Sequence, residues 1–128
     1  MELDHVVLEC ADPLAEVSFC HEVLGLEPVR LEEFQSGEAP FVSARVSAGL
    51  ILDFFPPGLW ARPGQAHNPN HLCFTTTAER AAKIRATLNA RGIAIERESD
   101  HNFGARGWGV VYYFRSPGGI MLEVRHYP

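Results

Sequence analysis

Three cysteines in 128 residues are too few for a disulfide framework, and their odd number leaves one without a partner. Cys10, Cys20 and Cys73 lie in apolar surroundings, which fits free, buried thiols of a reducing cytoplasm. No C-x-x-C pair occurs, so a zinc knuckle is not expected. Basic clusters are also lacking. The eleven Lys and Arg are scattered against sixteen Asp and Glu, giving a net charge of −5, and that excludes a nucleic-acid surface. No apolar run approaches the roughly 20 residues that cross a bilayer. The acidic start, Met1-Glu2-Leu3-Asp4, is followed by no apolar signal segment, so a cytoplasmic protein is expected. What is present is a chain that is 46% hydrophobic, enough for the core of one domain over residues 1–128.

The chain repeats itself. Leu3-Asp4-His5-Val6-Val7-Leu8 has the composition of a strand and leads through Asp12-Pro13 into a helical stretch closing at Gly25-Leu26. Asn70-His71-Leu72-Cys73-Phe74-Thr75 leads through Thr77 into a second helical stretch closing at Gly92-Ile93. His71 follows His5 by 66 positions, and Gly92 follows Gly25 by 67. One supersecondary unit is used twice. The last strand of each half carries an acid, Asp53 in Leu50–Phe54 and Glu123 in Ile120–Val124.

Asp12 is a helix N-cap with Pro13 at the first helical position, and Val17, Cys20 and Leu24 recur at helical spacing. Residues 28–34, 40–47 and 50–55 are expected as strands, with Ala48-Gly49 a tight turn. In the second half the expected elements are strand 70–76, helix 78–91, and strands 93–98, 109–115 and 120–126. Ser116-Pro117-Gly118-Gly119 is a turn. The fold class is α+β, two tandem βαβββ modules forming an open barrel-like trough. Module one spans about 1–56, a Pro-rich connector about 57–69, and module two about 70–128.

At these residues the chain resembles the vicinal oxygen chelate superfamily. That group includes glyoxalase I, methylmalonyl-CoA epimerase, extradiol dioxygenases, fosfomycin-resistance thiol transferases and bleomycin-resistance proteins. "LDHVVLECADPLAEVSFCHEVLGLEPV" looks like its opening, "NHLCFTT" its second histidine strand, and "YYFRSPGGIMLEV" its closing hairpin. The resemblance implies a divalent metal (Zn, Ni, Mn, Fe or Co) held by His5, His71 and Glu123, with Asp53 at the position of a fourth ligand. The chain departs from the pattern in Phe19-Cys20, where an aromatic pair is frequent, and in an Asp rather than the longer Glu or Gln at position 53.

Imidazoles and carboxylates suit such ions and leave positions open for a substrate oxygen. On ideal strands His5 shares a face with Val7 and Glu9, His71 with Cys73 and Thr75, and Glu123 with Met121 and Arg125. A lone strand histidine is more often a hydrogen-bonded core or edge residue. The paired placement and the resemblance argue the other way. His21 and His126 are expected on the surface, with His67 and His101 in loops. Phe103, Arg106 and Trp108 stand in a glycine-rich loop, 101–109, that is either a mobile substrate-contacting segment or a long hairpin connection. Tyr113 matches a substrate-contacting tyrosine of the thiol transferases.

The implied function is a metal-dependent glyoxalase-like enzyme of isomerase, lyase or epimerase type, acting on a small oxygen-chelating substrate. Asp53 and Glu123 are its candidate proton-transfer residues, and a homodimer is expected because strand edges invite pairing. Extradiol ring cleavage and thiol transfer are the alternatives within the enzyme class. A metal-free drug-sequestering protein is the alternative outside it.

Overall fold

The structure is a computed structural model that describes residues 2–59 and 68–128. It divides into two compact units, Met1–Pro69 and Asn70–Pro128. The class is α+β, and each unit is a βαβββ module built on a four-stranded mixed sheet. Among the described residues no helix is long and apolar enough to cross a membrane. His67 and part of the expected connector lie outside the described residues.

In unit one, β1 (His5–Glu9) leads into α1 (Pro13–Leu24). The Asp12 side chain accepts from the Ala15 N–H at 3.1 Å, capping the helix. At the other end Gly25 adopts φ 70, and Leu26 N–H reaches the Cys20 carbonyl, which closes the helix in a left-handed turn. Then come β2 (Glu27–Val29), α2 (Leu31–Ser36), β3 (Val42–Ser47) and β4 (Leu50–Phe55). Strand order is β1-β4-β3-β2, with β1 parallel to β4 and the other pairs antiparallel. The buried side chains of α1 pack on β2, β3 and β4, against Val42, Ala44, Leu52 and Phe54.

Unit two repeats this plan: β5 (Leu72–Thr75), α3 (Ala78–Ala90), β6 (Arg97–Gly104), β7 (Gly107–Arg115) and β8 (Met121–His126). The order β5-β8-β7-β6 again makes the first strand parallel to the last. Thr77 caps α3, and Ile93 N–H reaches the Leu88 carbonyl, as Leu26 does in the first unit. Ile84 and Leu88 are buried, with Tyr112, Phe114, Leu122 and Val124 buried on the helix-facing side of the sheet.

Three expectations are corrected. The strand expected over 28–34 stops at Val29, because Arg30 turns at φ 62 and the helix-forming run Leu31-Glu32-Glu33-Phe34-Gln35-Ser36 takes over. The strand expected over 93–98 begins only at Arg97 and runs to Gly104. The glycine-rich stretch 101–109 is therefore a paired hairpin, with Phe103 opposite Trp108 and a register shift between Ser99 and Asn102. Finally, Cys10 and Cys20 are buried but Cys73 is exposed, because edge strand β5 turns only Leu72 and Phe74 towards its half-buried face.

Tyr112 ties the second helix to its sheet, its hydroxyl donating to the Ala81 carbonyl at 2.7 Å in the core. Tyr112→Phe removes only that bond and is expected to cost about 1 kcal/mol. Leu88→Ala empties a fully buried site and is expected to cost about 2–5 kcal/mol. Urea unfolding of the two variants checks both values and their order.

Candidate metal centre

Parallel pairing of each module's outer strands sets the site geometry. In unit one His5 lies opposite Ile51 and Val7 opposite Asp53, so His5 and Asp53 share a face one step apart along the strands. In unit two Cys73 lies opposite Glu123, and His71 precedes it on the same face. The third strand completes each set, with Ser43 opposite Asp53 and Tyr113 opposite Glu123. The sequence repeat is thus a repeat of register.

The residue before each histidine fixes its ring. His5 Nδ1 lies 2.7 Å from Asp4 Oδ1, and His71 Nδ1 lies 2.8 Å from Asn70 Oδ1. Both partners are oxygen acceptors, so Nδ1 donates, and in the neutral ring Nε2 then carries the lone pair. Such an arrangement orients a metal-binding imidazole. His5 is shifted above its ordinary value near 6.5, chiefly by the hydrogen bond its ring donates to Asp4, with further support from the Asp53 charge.

Both acids are buried. Asp53 accepts from the Ser43 hydroxyl through Oδ1 at 2.6 Å. Glu123 presents Oε2 to His71 Nε2 at 3.2 Å, and its Oε1 accepts from Arg125 Nε and Nη2 at 3.2 and 3.0 Å. Tyr113 stands edge-on to the His71 ring at 5.6 Å, with Arg97 over its other neighbourhood at 5.8 Å from the ring centre. Burial first, and its hydrogen bond to Glu123 second, push the Tyr113 phenol up, so it stays a proton donor at neutral pH. The Cys73 thiol is pushed up to about 11, first by partial desolvation and then by the Glu123 charge. It is a neutral thiol there, not a ready nucleophile.

Beside this cluster a cavity of about 440 Å³ is lined by His71, Glu123, Thr75, Phe103, Arg106 and Tyr127, among others. That volume suits a small organic ligand. Phe103 and Trp108 meet edge to face at 5.4 Å and are both more than half exposed, and Trp108 stacks on His101 at 4.0 Å. Trp108 does not line the cavity, whereas Phe103 and Arg106 do.

Within either unit, and among the described residues, no three His, Cys, Asp or Glu side chains converge as a ready ion cage. The donor chemistry nevertheless fits one. His71 Nε2 and Glu123 Oε2 are two electron-pair donors face to face, and they need a shared proton or a cation between them. Their 3.2 Å spacing is close to the roughly 3 Å that separates neighbouring ligands at about 2.1 Å from a first-row ion.

The chain matches the glyoxalase/bleomycin resistance protein/dioxygenase superfamily over residues 2–124. It belongs to that superfamily. No curated protein matches it significantly. Among solved structures, an integron cassette protein from the mobile metagenome of V. cholerae is 25% identical, covering 100% of this chain and 96% of its own, with a TM-score of 0.78. The oxidase ChaP-H2 is 22% identical, with coverages of 100% and 94% and a TM-score of 0.70. A lactoylglutathione lyase from Agrobacterium tumefaciens is 22% identical, with coverages of 95% and 90% and a TM-score of 0.69. The superfamily includes enzymes of quite different chemistry on this one fold.

Several residues of the site carried a signal that was visible but unused. Asp4 and Asn70 precede the two histidines at matched places, and Arg125 sits two residues past Glu123 on the same strand face. Ser43, Asn102 and Tyr127 carried none, because only strand register brings them in.

Because its folded-state value is raised, His5 favours the fold in its protonated form. That contribution is present below about 6.5 and is lost as pH rises through the folded value. Asp4→Asn is expected to lower the His5 titration towards 6.5 and to flatten stability across that interval. An NMR titration of the histidine Cε1–H signals measures it, and an unmoved His5 midpoint would contradict the assigned cause.

Proposed function

We propose that this protein is a metal-dependent enzyme acting on a small molecule that binds through neighbouring oxygens, in an isomerisation, lyase or epimerisation reaction. His5, His71 and Glu123, with Asp53 as a fourth donor, are the proposed ligands of one divalent ion of Mn, Fe, Co, Ni or Zn. The observation that carries this reading is the 3.2 Å approach of His71 Nε2 to Glu123 Oε2 while Asn70 holds Nδ1. Tautomer and carboxylate both present lone pairs to the same point.

When bound, the ion supplies Lewis acidity to a substrate oxygen. The chain's own residues do the rest. Phe103 and Tyr127 offer apolar walls and Arg106 a cation for an anionic substrate group, within the same cavity as His71 and Glu123. Asp53 is the proposed proton carrier. Ser43 restrains its Oδ1 and leaves Oδ2 able to take a proton. Tyr113 lies opposite Glu123 across the strand pair and donates towards that carboxylate. The protein is proposed to work as a homodimer, because among the described residues each sheet ends on edge strands paired on one side only, β1 and β2 in one unit and β5 and β6 in the other. A monomer in sedimentation at micromolar concentration would remove that part of the proposal.

A second reading has its own support. Arg125 already gives Glu123 a positive partner, and Phe103 and Trp108 are 68% and 55% exposed. Both features suit a metal-free protein that sequesters an aromatic drug.

Metal content after reconstitution separates the two readings. The enzyme reading expects about one ion per chain, lost in His71→Ala and Glu123→Ala variants that keep their circular dichroism. No retained ion in the wild type would transfer the assignment to sequestration. For the reaction, hemithioacetals, acyl-CoA epimers, catechols, and fosfomycin with a thiol form the substrate panel. Asp53→Asn is expected to cost about 10²-fold or more in turnover with the fold intact. Catechol cleavage with Fe²⁺ that survives Asp53→Asn would instead establish ring cleavage.

A further inference from the structure

We propose that Arg125 is a positioning residue for this centre: by reserving Oε1 of Glu123 it restricts Glu123 to one-oxygen coordination through Oε2, which keeps positions on the ion open for a chelating substrate. The proposal rests on the metal reading above and concerns what that reading leaves unexplained, a buried guanidinium beside a metal ligand.

Arg125 is 4% exposed, so it is not a surface cation that happens to lie nearby. Its Nε and Nη2 both donate to Oε1 of Glu123, filling that oxygen's two lone pairs. Oε2 is left for His71 Nε2. A carboxylate can bind an ion through one oxygen or two, and two-oxygen binding here would require Oε1 to leave the guanidinium.

The guanidinium cannot follow. Nη1 donates to the Asn102 carbonyl at 3.1 Å, and Nη2 donates to Asn102 Oδ1 at 2.9 Å and to the Phe103 carbonyl at 3.1 Å. The β6 strand end therefore holds the same guanidinium that binds Glu123. Gly104 completes the seat, because a Cβ built there would overlap the Arg125 guanidinium. Gly104 is not in the left-handed region, so its backbone does not itself demand glycine. The space it leaves is what the guanidinium uses. Since Arg stays protonated at every working pH, the restraint on Oε1 is permanent. A fixed positive charge this near also weakens attraction for a divalent ion. The site gives up affinity and gains open coordination.

The test uses Mn²⁺ alone as the probe, with calorimetry for affinity and water-proton relaxation for the number of waters on the bound ion. Arg125→Met removes the restraint and the charge. Gly104→Ala leaves the charge in the chain but fills the guanidinium's seat. Both variants are expected to bind Mn²⁺ about tenfold or more tightly, with about one water fewer on the ion as Glu123 closes onto it with both oxygens. Arg125→Met leaves Asn102 without its partner. If that variant does not fold, Gly104→Ala carries the test, with Arg125→Lys beside it to keep charge while losing the two-pronged contact. Folded variants with wild-type affinity and water count would overturn the positioning role and leave the metal centre standing. If neither wild type nor any variant takes up Mn²⁺, Zn²⁺ or Ni²⁺, the metal reading falls and this proposal falls with it.

Discussion

Parallel pairing of the first and last strands of each module is the constraint from which the site follows. A parallel neighbour needs a crossover, and α1 and α3 supply it. The three later strands then return antiparallel, so the module's final strand ends up between its first and third. A histidine at the start of the first strand and an acid in the last are far apart in sequence, yet this topology puts them on one face with a fixed stagger. Any slip of one residue would turn the acid to the helix side, where Leu52, Phe54, Leu122 and Val124 now sit. Core packing therefore enforces the site register.

Burial of Glu123 is tolerable because its charge is answered on every side. Arg125 binds one oxygen, His71 faces the other, and Tyr113 approaches from the next strand. Removing one partner of such a buried pair costs about 3–5 kcal/mol in general, although replacing the whole pair by apolar groups is often neutral. The chain keeps the charged pair where one wall opens on the cavity that His71 and Phe103 also line.

Much of this was legible in the sequence, because the features that specify it are local. Asp12-Pro13 and Gly25-Leu26 mark the ends of α1, and Thr77 and Gly92-Ile93 repeat the marks for α3. The matched histidines and acids announced the duplication. The errors arose where local signals conflict with tertiary ones. Leu31–Ser36 carries Leu31 and Phe34, which suit a strand, among the helix-forming Glu32, Glu33 and Gln35, and the positive φ at Arg30 has no sequence signature. Glycines at 104, 107 and 109 suggested a loose loop. Two of them have packing reasons instead: Gly104 makes room for Arg125, and Gly109 lies against the His126 carbonyl and Tyr127. Close approach and flexibility both select glycine, and sequence alone does not separate them.

The two modules are not equivalent, and the differences fall on the same structural positions. Where unit one places Ser43 beside its acid, unit two places Tyr113, a larger donor that also reaches the histidine ring. The shorter acid, Asp53, receives a single hydroxyl and leaves one oxygen unclaimed by it, while Glu123 is held by a guanidinium. Duplication supplies two similar arrangements, and divergence gives them different hydrogen-bond partners. A carboxylate gripped by a guanidinium is fixed in place, whereas one that meets a single hydroxyl keeps an oxygen outside that hydrogen bond. On the proposed reading, this asymmetry of partners is the ground for giving Asp53 the proton transfer and Glu123 the ligand role.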